Sequence, residues 1–543
     1  MSAAARSSPS HLRDQARPGG RLAPLAALRP PSAPAAIATG VAASFVLLTV
    51  WWLARNQALP YGDAAFHVAT ALDFHDAIAA GQWTEPLTWH AGHYPPFTPL
   101  VGALGIFLGG RTFASPILAQ NLLYVPLLAI ACYRTAQRCF GSPAGPLAVA
   151  FALGAPMIAE QFHVFMLDAP LTALVAATVW LVVESERFAN VRFAAAAGVV
   201  AGVGLMSKQA FPLYVTGFIV AVILHDGGWR NRRGLGVFLA ISLTLAAPWY
   251  LGHVSQLHLF FSDAGELQVP PLAKPPLLSA ANAGWYLWAL ANGLLFTPLL
   301  AFAAIGVVTA VVALARGRRD LRVELLAGLV SAWALITAIP HKDVRYSLPL
   351  MIFLAVLATG WIVQLRRAGR VVATSALAVA VVASTCGATL GLGSAYSGLL
   401  PGNWAAPRGQ GVMRLDHFTI YASHDYMVSG PRRDGDIPGL LDGLRAAGVR
   451  NVTASLSDFS GADSHYDKSG LLVAIRLARL APVSGSAGAP AHLATLIHRR
   501  RFGRARPCVR LDDGEGVWIR LGDATSPRTR DYCPRFRPRF YGP

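Results

Sequence analysis

Apolar runs long enough to cross a bilayer recur from residue 36 to residue 391, and they leave this chain few folds to choose from. Hydrocarbon offers no partner for a backbone N–H or C=O, so such runs fold as helices that satisfy their own hydrogen bonds. The runs lie near 36–54, 115–133, 144–160, 169–184, 192–206, 210–225, 235–252, 291–314, 323–340, 347–364 and 371–391, about eleven in all. The stretch 96–110 is shorter and opens at Pro95-Pro96, so it reads as a helix lying in or dipping into the outer leaflet. No cleavable signal pattern is evident, and the first run reads as a retained span. With 54% hydrophobic and only 14% charged residues, the expected fold is an all-α polytopic membrane bundle.

The arginines orient it. Arg134 and Arg138; Arg187 and Arg192; Arg230, Arg232 and Arg233; Arg316, Arg318 and Arg319; and Arg366, Arg367 and Arg370 occupy alternate connections. Together with the Arg-rich N-terminus they define the cytoplasmic side by the positive-inside rule. Counting 96–110 as a crossing breaks that alternation. The net charge of +18 would suggest nucleic acid in a soluble domain. Here most of the arginine lies in short turns and two tails, where anionic lipid headgroups explain it and no nucleic acid is expected. High Ala and Arg usage with few Lys suggests a GC-rich bacterial source, hence the inner (plasma) membrane.

The opposite connections are poor in Arg yet hold nearly every unusual polar residue. They carry Asp63 and His93; Glu160, His163 and Asp168; Lys208; His253, His258, Asp263, Glu266 and Lys274; and the run His341-Lys342-Asp343-Val344-Arg345-Tyr346. Ionisable groups at membrane depth are costly, so function is the default reading of them. Five loops presenting acids, histidines and single cations to one face suggest a shared cavity at the outer surface.

Three regions are expected: a disordered cytoplasmic tail over 1–35, a transmembrane catalytic domain over 36–394, and a soluble extracytoplasmic domain over 395–543. In the last, Leu440–Leu444 resembles an amphipathic helix, while Val449–Ala454, Gly470–Ile475 and Gly516–Leu521 read as strands of a small α/β domain. Cys508 and Cys533 both lie there and flank a predicted hairpin, so a disulfide is expected in an oxidising compartment, with free thiols as the alternative. Cys132, Cys139 and Cys386 read as reduced packing residues.

Five short motifs carry a resemblance. They are Gly62-Asp63 after the first span, Tyr94-Pro95-Pro96-Phe97 closing the first loop, and Met166-Leu167-Asp168-Ala169-Pro170-Leu171 opening the fourth span. Gly204-Leu205-Met206-Ser207-Lys208 ends the fifth span, and Arg345-Tyr346-Ser347-Leu348-Pro349 follows. In this order and on one membrane side, they resemble the GT-C glycosyltransferases that use polyprenyl-phosphate sugars, most of all the protein O-mannosyltransferase and lipid A aminoarabinose-transferase branch. The run 341–346 is also similar to a His-Lys-Glu-x-Arg-Phe motif of related lumenal mannosyltransferases. The resemblance covers most of 36–391.

The resemblance implies that Asp63 is the catalytic acid of the first external loop. A polyprenyl phosphate is already a good leaving group, so the reaction needs a base near the acceptor hydroxyl more than a strong acid. Displacement from the far side of the anomeric carbon would invert its configuration. Capping of the following helix is the competing role for Asp63 and for Asp168, which precedes Ala169-Pro170. The resemblance makes Asp168 a second active-site acid. Two acids on separate loops could hold a divalent metal, but several relatives in this branch work without one, and no metal is assigned. Arg345, Lys342 and Lys208 are the candidate cations for the donor phosphate, with snorkelling to lipid phosphates as the alternative. Glu160 and His163 would line the acceptor loop.

One departure stands out. Before the paired prolines this branch commonly shows an acid and a lysine; here His93 and Tyr94 take those places, so a lysine grip on the donor phosphate does not carry over, and His93 and Tyr94 are expected to bind the donor phosphate by hydrogen bonding instead. No Gly-rich phosphate loop occurs on the cytoplasmic side, which disfavours a nucleotide-sugar donor. The expected function is transfer of one sugar from a polyprenyl phosphate to an acceptor hydroxyl on protein, lipid or glycan. The alternative is a transporter or flippase of a lipid-linked sugar, which would place charges near the midplane in repeated halves. A non-catalytic scaffold would leave the five loops unexplained.

Overall fold

The structure is a computed structural model; it describes residues 32–56, 58–60, 62–88, 94–255, 276–340 and 342–392, and beyond these the C-terminal elements named below with a few adjoining residues. The tail over 1–31, His93, His258, Asp263, Glu266, Lys274, His341, Cys508 and Cys533 lie outside the described residues.

The first sixteen helices run α1 Ala33–Leu53, α2 Gly62–Ala79, α3 Glu85–Thr88, α4 Phe97–Gly109, α5 Ala114–Phe140, α6 Ala144–Leu153, α7 Pro156–His163, α8 Asp168–Glu184, α9 Val191–Leu205, α10 Phe211–Leu224, α11 Arg232–Gly252, α12 Ala280–Ala289, α13 Thr297–Ala315, α14 Arg322–Ala338, α15 Met351–Gln364 and α16 Arg367–Ala388. A 3-10 turn, Val344–Leu350, leads directly into α15.

Among the described residues six helices are long and apolar enough to cross a membrane: α1, α5, α11, α13, α16 and the continuous segment Val344–Gln364. The predicted span 144–160 is a bent pair, α6 and α7, set at 61°. The break falls at Gly154-Ala155, because Pro156 starts a new helix and disfavours helical geometry in the residue before it. The four remaining predicted spans are helices of 17, 15, 14 and 17 residues (α8, α9, α10 and α14), short of the ~20 that a full crossing takes. The predicted span 291–314 starts late: Phe296 is extended and Pro298 opens α13 at Thr297.

The core explains which helices matter to the site. Val344–Gln364 is 83% buried along its apolar window, whereas α1 is 17% buried. Almost every residue of α8 is enclosed, and its Ala173, Ala176 and Ala177 let neighbouring backbones approach closely. The two helices that begin with Asp168 and end the Arg345 turn are therefore the central ones, and peripheral helices wrap them.

The bundle has two chemically distinct ends. At one, Glu184 accepts from Arg134 and Arg138, and Glu324 from Arg187 and His225. These residues come from the connections predicted to be cytoplasmic. Elsewhere Arg345 pairs with Asp63 and Asp343, and Asp168 pairs with Lys208 within electrostatic reach of Arg345.

The C-terminal elements are α17 Ile437–Ala446, α18 Lys468–Leu477 and strands β1 Met413–Leu415, β2 Phe418–Ile420, β3 Asn451–Ser455, β4 Ala481–Pro482, β5 Leu493–Arg499, β6 Val509–Arg510, β7 Gly516–Leu521 and β8 Arg530–Asp531. The larger sheet has the order β4-β3-β5-β7-β6, with β8 also on β7. Strands β4 and β5 run parallel to β3, and β7 antiparallel to β5. The α18 crossover between β3 and β4 is the connection that a parallel pair requires. Gly470–Ile475, predicted as a strand, lies in α18. Buried Leu471, Ala474, Ile475 and Ala478 recur at helical spacing, a period that a short continuous apolar run conceals.

Candidate active site

Asp63 opens the site. Gly62 takes φ +52°, a left-handed conformation that glycine adopts without steric cost, and Asp63 follows in the first turn of α2. Its side chain is 60% exposed, and Oδ2 accepts from Arg345 Nη2 at 3.1 Å.

Arg345 is held from behind. Asp343 Oδ2 accepts from its Nε at 2.9 Å and from its Nη2 at 2.5 Å, while Asp343 Oδ1 accepts from the Arg345 backbone N–H at 2.9 Å. Burial acts to raise the Asp343 carboxyl, but the Arg345 guanidinium outweighs it and holds the group below the ordinary carboxylate range. The remaining nitrogen, Nη1, meets the Met166 thioether at 3.9 Å. Asp343 thus fixes the Nε–Nη2 edge of the guanidinium, the same Nη2 also donates to Asp63, and Nη1 has the weaker thioether contact.

Asp168 is the first residue of α8 and makes no cap. Its Oδ1 accepts from Lys208 Nζ at 2.7 Å, with the two side chains 3% and 11% exposed. A buried ion pair of this kind holds each partner in place, because removal of either leaves an uncompensated charge. Lys208 Nζ also lies 5.3 Å from the centre of the Tyr346 ring. The Tyr346 carbonyl accepts from Tyr214 Oη at 3.0 Å.

The motifs are tied to one another through backbone. Phe97 N–H donates to the Met206 carbonyl at 3.0 Å, joining the Tyr-Pro-Pro element to the turn that carries Lys208. On α5, Gln120 Nε2 donates to the Gln161 and Val164 carbonyls, and Asn121 Nδ2 to the Phe162 carbonyl. Those bonds fix the strand of chain leading into Asp168. Tyr94 meets the His67 ring edge-on at 5.4 Å. Burial raises its phenol, which also feels the charges of Lys208, Asp63, Asp168 and Arg345.

His67 lies one turn beyond Asp63 on α2 and is buried. Burial pushes its imidazole down to about 3, so the ring is neutral. With Phe66, Thr70, Phe74, Tyr94 and Trp249 it lines a small cleft.

Of the residues expected from sequence, Asp63, Asp168, Arg345, Lys208 and Tyr94 come together. Glu160 is at the edge, within electrostatic reach of Arg345 and Asp343, and its Oε2 has no hydrogen-bond partner among the described residues. Lys342 is not brought in. Its Nζ donates to the Ile336, Thr337 and Ile339 carbonyls and closes the end of α14, so a donor-phosphate role does not fit its position. His163 stacks on Trp52 of α1 at 4.5 Å, away from the cluster. Sequence reading assigned no role to Asp343 or His67, although Asp-x-Arg spacing and the four-residue step from Asp63 were both visible. Gln120 and Asn121 left no signal beyond being polar within a span.

Among the described residues no three His, Cys, Asp or Glu groups converge, and Asp63 and Asp168 are each engaged by a cation.

With fold and site described, comparison is direct. The crystal structure of ArnT from Cupriavidus metallidurans in the apo state superposes with a TM-score of 0.54 at 16% identity, covering 85% of this chain and 93% of that one. The same protein bound to undecaprenyl phosphate gives 0.55 at 15% identity, covering 91% and 99%. The chain therefore shares the fold of that protein. Residues 93–251 match the family described as dolichyl-phosphate-mannose-protein mannosyltransferase. That stretch contains three of the five motifs. A search of curated protein sequences finds no match.

Proposed function

We propose that this protein is an integral-membrane glycosyltransferase that moves one monosaccharide from a polyprenyl phosphate to an acceptor hydroxyl, with inversion, outside the cytoplasm. The observation that carries the reading is the contact of Asp63 with Arg345, a guanidinium that Asp343 also holds through Nε and Nη2. A base and an anion receptor that already touch are what the two ends of this displacement need.

In the reaction the acceptor O–H gives its proton to the Asp63 carboxylate as its oxygen bonds to the anomeric carbon. The bond from that carbon to the phosphate oxygen breaks, and the electron pair leaves with the polyprenyl phosphate. Arg345 takes the added charge on its open edge, where a planar fork matches phosphate oxygens. Lys208, held by Asp168, adds a second fixed cation, and pre-set cations at developing charge are the strongest single aid to such a step. When the donor phosphate occupies Arg345 it displaces Asp63, which frees the base only when substrate is present.

The transporter reading is less well supported. Asp168 begins α8, Glu184 ends it, Glu324 lies in the first turn of α14 and Lys208 lies between α9 and α10, so these four charges keep to helix ends. The test uses purified protein, an envelope extract as acceptor source, and polyprenyl-phosphate mannose or aminoarabinose. Release of polyprenyl phosphate by wild type and not by Asp63→Asn supports the reading; equal release by both removes Asp63 from catalysis.

A further inference from the structure

We propose that the C-terminal α/β region braces the helix that carries Asp63, and that Gly470, Arg476 and Asp73 are positioning residues for sugar transfer. The inference rests on the catalytic reading of Asp63 given above.

The C-terminal elements share a core with α2. Leu59, Val68 and Leu72 belong to one contiguous buried cluster with Leu440, Leu471 and Ala474. No water-filled gap separates a catalytic bundle from an appended domain at this point. Moving α18 away would expose the apolar face of α2 that it covers.

The contact is made at both ends of the region around Asp63. Upstream, α18 comes so close that a Cβ on Gly470 would lie 2.1 Å from the Pro60 carbonyl oxygen. That oxygen is backbone and cannot rotate away, so any side chain at 470 must push the chain at Pro60. Pro60 is three residues before Asp63. Downstream, Arg476 pairs with Asp73, and its carbonyl accepts from Arg111 Nη2 at 3.3 Å. Arg111 in turn grips both Asp76 oxygens. The Arg476 and Asp73 side chains are 32% and 26% exposed, which leaves the pair less screened than a surface one.

Geometry makes this brace act on catalysis. Asp63 and Asp73 are separated by about 15 Å of continuous helix at 1.5 Å per residue. A helix transmits a displacement of one end to the other. The base must stand about 3 Å from the acceptor proton, and a shift of about 1 Å in such a site can cost about 100-fold in rate. Arg345 and Asp343 come from a different part of the bundle, so they hold the phosphate side of the site while α18 holds the base side.

The experiment compares purified full-length wild type, Gly470→Ala, Arg476→Ala, Arg476→Lys and Asp63→Asn, with melting temperature and donor kinetics measured for each. The brace predicts that Gly470→Ala and Arg476→Ala lose about tenfold or more in kcat while KM for the polyprenyl-phosphate sugar stays within about twofold. Arg476→Lys recovers most of the rate, since a cation again meets Asp73. Should Gly470→Ala fail to fold, the Arg476 pair decides the matter alone. Folded Arg476→Ala with wild-type kcat, beside an inactive Asp63→Asn, overturns the brace and leaves the catalytic reading standing. Loss of rate only in proportion to lost folded protein overturns it too. An active Asp63→Asn overturns the reading beneath it.

Discussion

Arg345→Lys keeps the positive charge and removes the fork. In the structure the guanidinium donates Nε and Nη2 to Asp343 at 2.9 and 2.5 Å and Nη2 to Asp63 at 3.1 Å. A single ammonium on a lysine stem can keep one strong carboxylate contact in that direction. One charge-assisted hydrogen bond is worth about 1.5–3 kcal/mol. The side chains are 24% and 22% exposed, so the lower part of that range applies, about 1.5–2 kcal/mol. At 1.36 kcal/mol per factor of ten, kcat/KM for the lipid donor falls by roughly 10- to 30-fold. The assay measures initial rates against polyprenyl-phosphate sugar concentration in detergent, with melting temperature as a check that the fold is intact. A folded Arg345→Lys with kcat/KM within about twofold of wild type would refute the bidentate hold.

Three further predictions follow from other parts of the structure. His67 is held near 3 by burial against an ordinary value of 6.5; the unfolded chain therefore binds one more proton between those values, and stability rises with pH there by about 1.4 kcal/mol per unit and levels off above. His67→Gln should flatten that part of a melting-temperature profile, and an unchanged slope would argue against a buried neutral ring. Lys342→Met should cost about 1–3 kcal/mol of stability by orphaning the carbonyls that end α14, with donor KM unchanged; a raised KM at full stability would return Lys342 to the phosphate site. Peptide mapping without reductant is expected to recover Cys508 joined to Cys533, and alkylation of both as free thiols would exclude the bridge.

Much of the bundle was legible because hydrophobic run length and arginine alternation are direct consequences of the bilayer. Six predicted spans coincide with long apolar helices, and Asp63 meets Arg345 while Asp168 meets Lys208. What sequence could not supply was pairing. Nothing in the run 341–346 says that Lys342 turns back onto its own helix end while Asp343, two residues from Arg345, becomes its holder. Asp168 looked like a helix cap because Pro170 follows it, yet tertiary contact gives its carboxylate to Lys208, forty residues on. The strand reading of 470–475 failed for a related reason: a dense apolar run is compatible with either period, and only packing on α2 selects the helix.

The central claim is that Asp63 removes the acceptor proton in a sugar transfer from polyprenyl phosphate. Its most direct test is mass analysis of envelope lipids, glycans and proteins from a deletion strain complemented with wild type or with Asp63→Asn at matched membrane levels. The account predicts one class of molecule lighter by a single sugar in the deletion strain, restored by wild type and not by Asp63→Asn. Restoration by Asp63→Asn would contradict it.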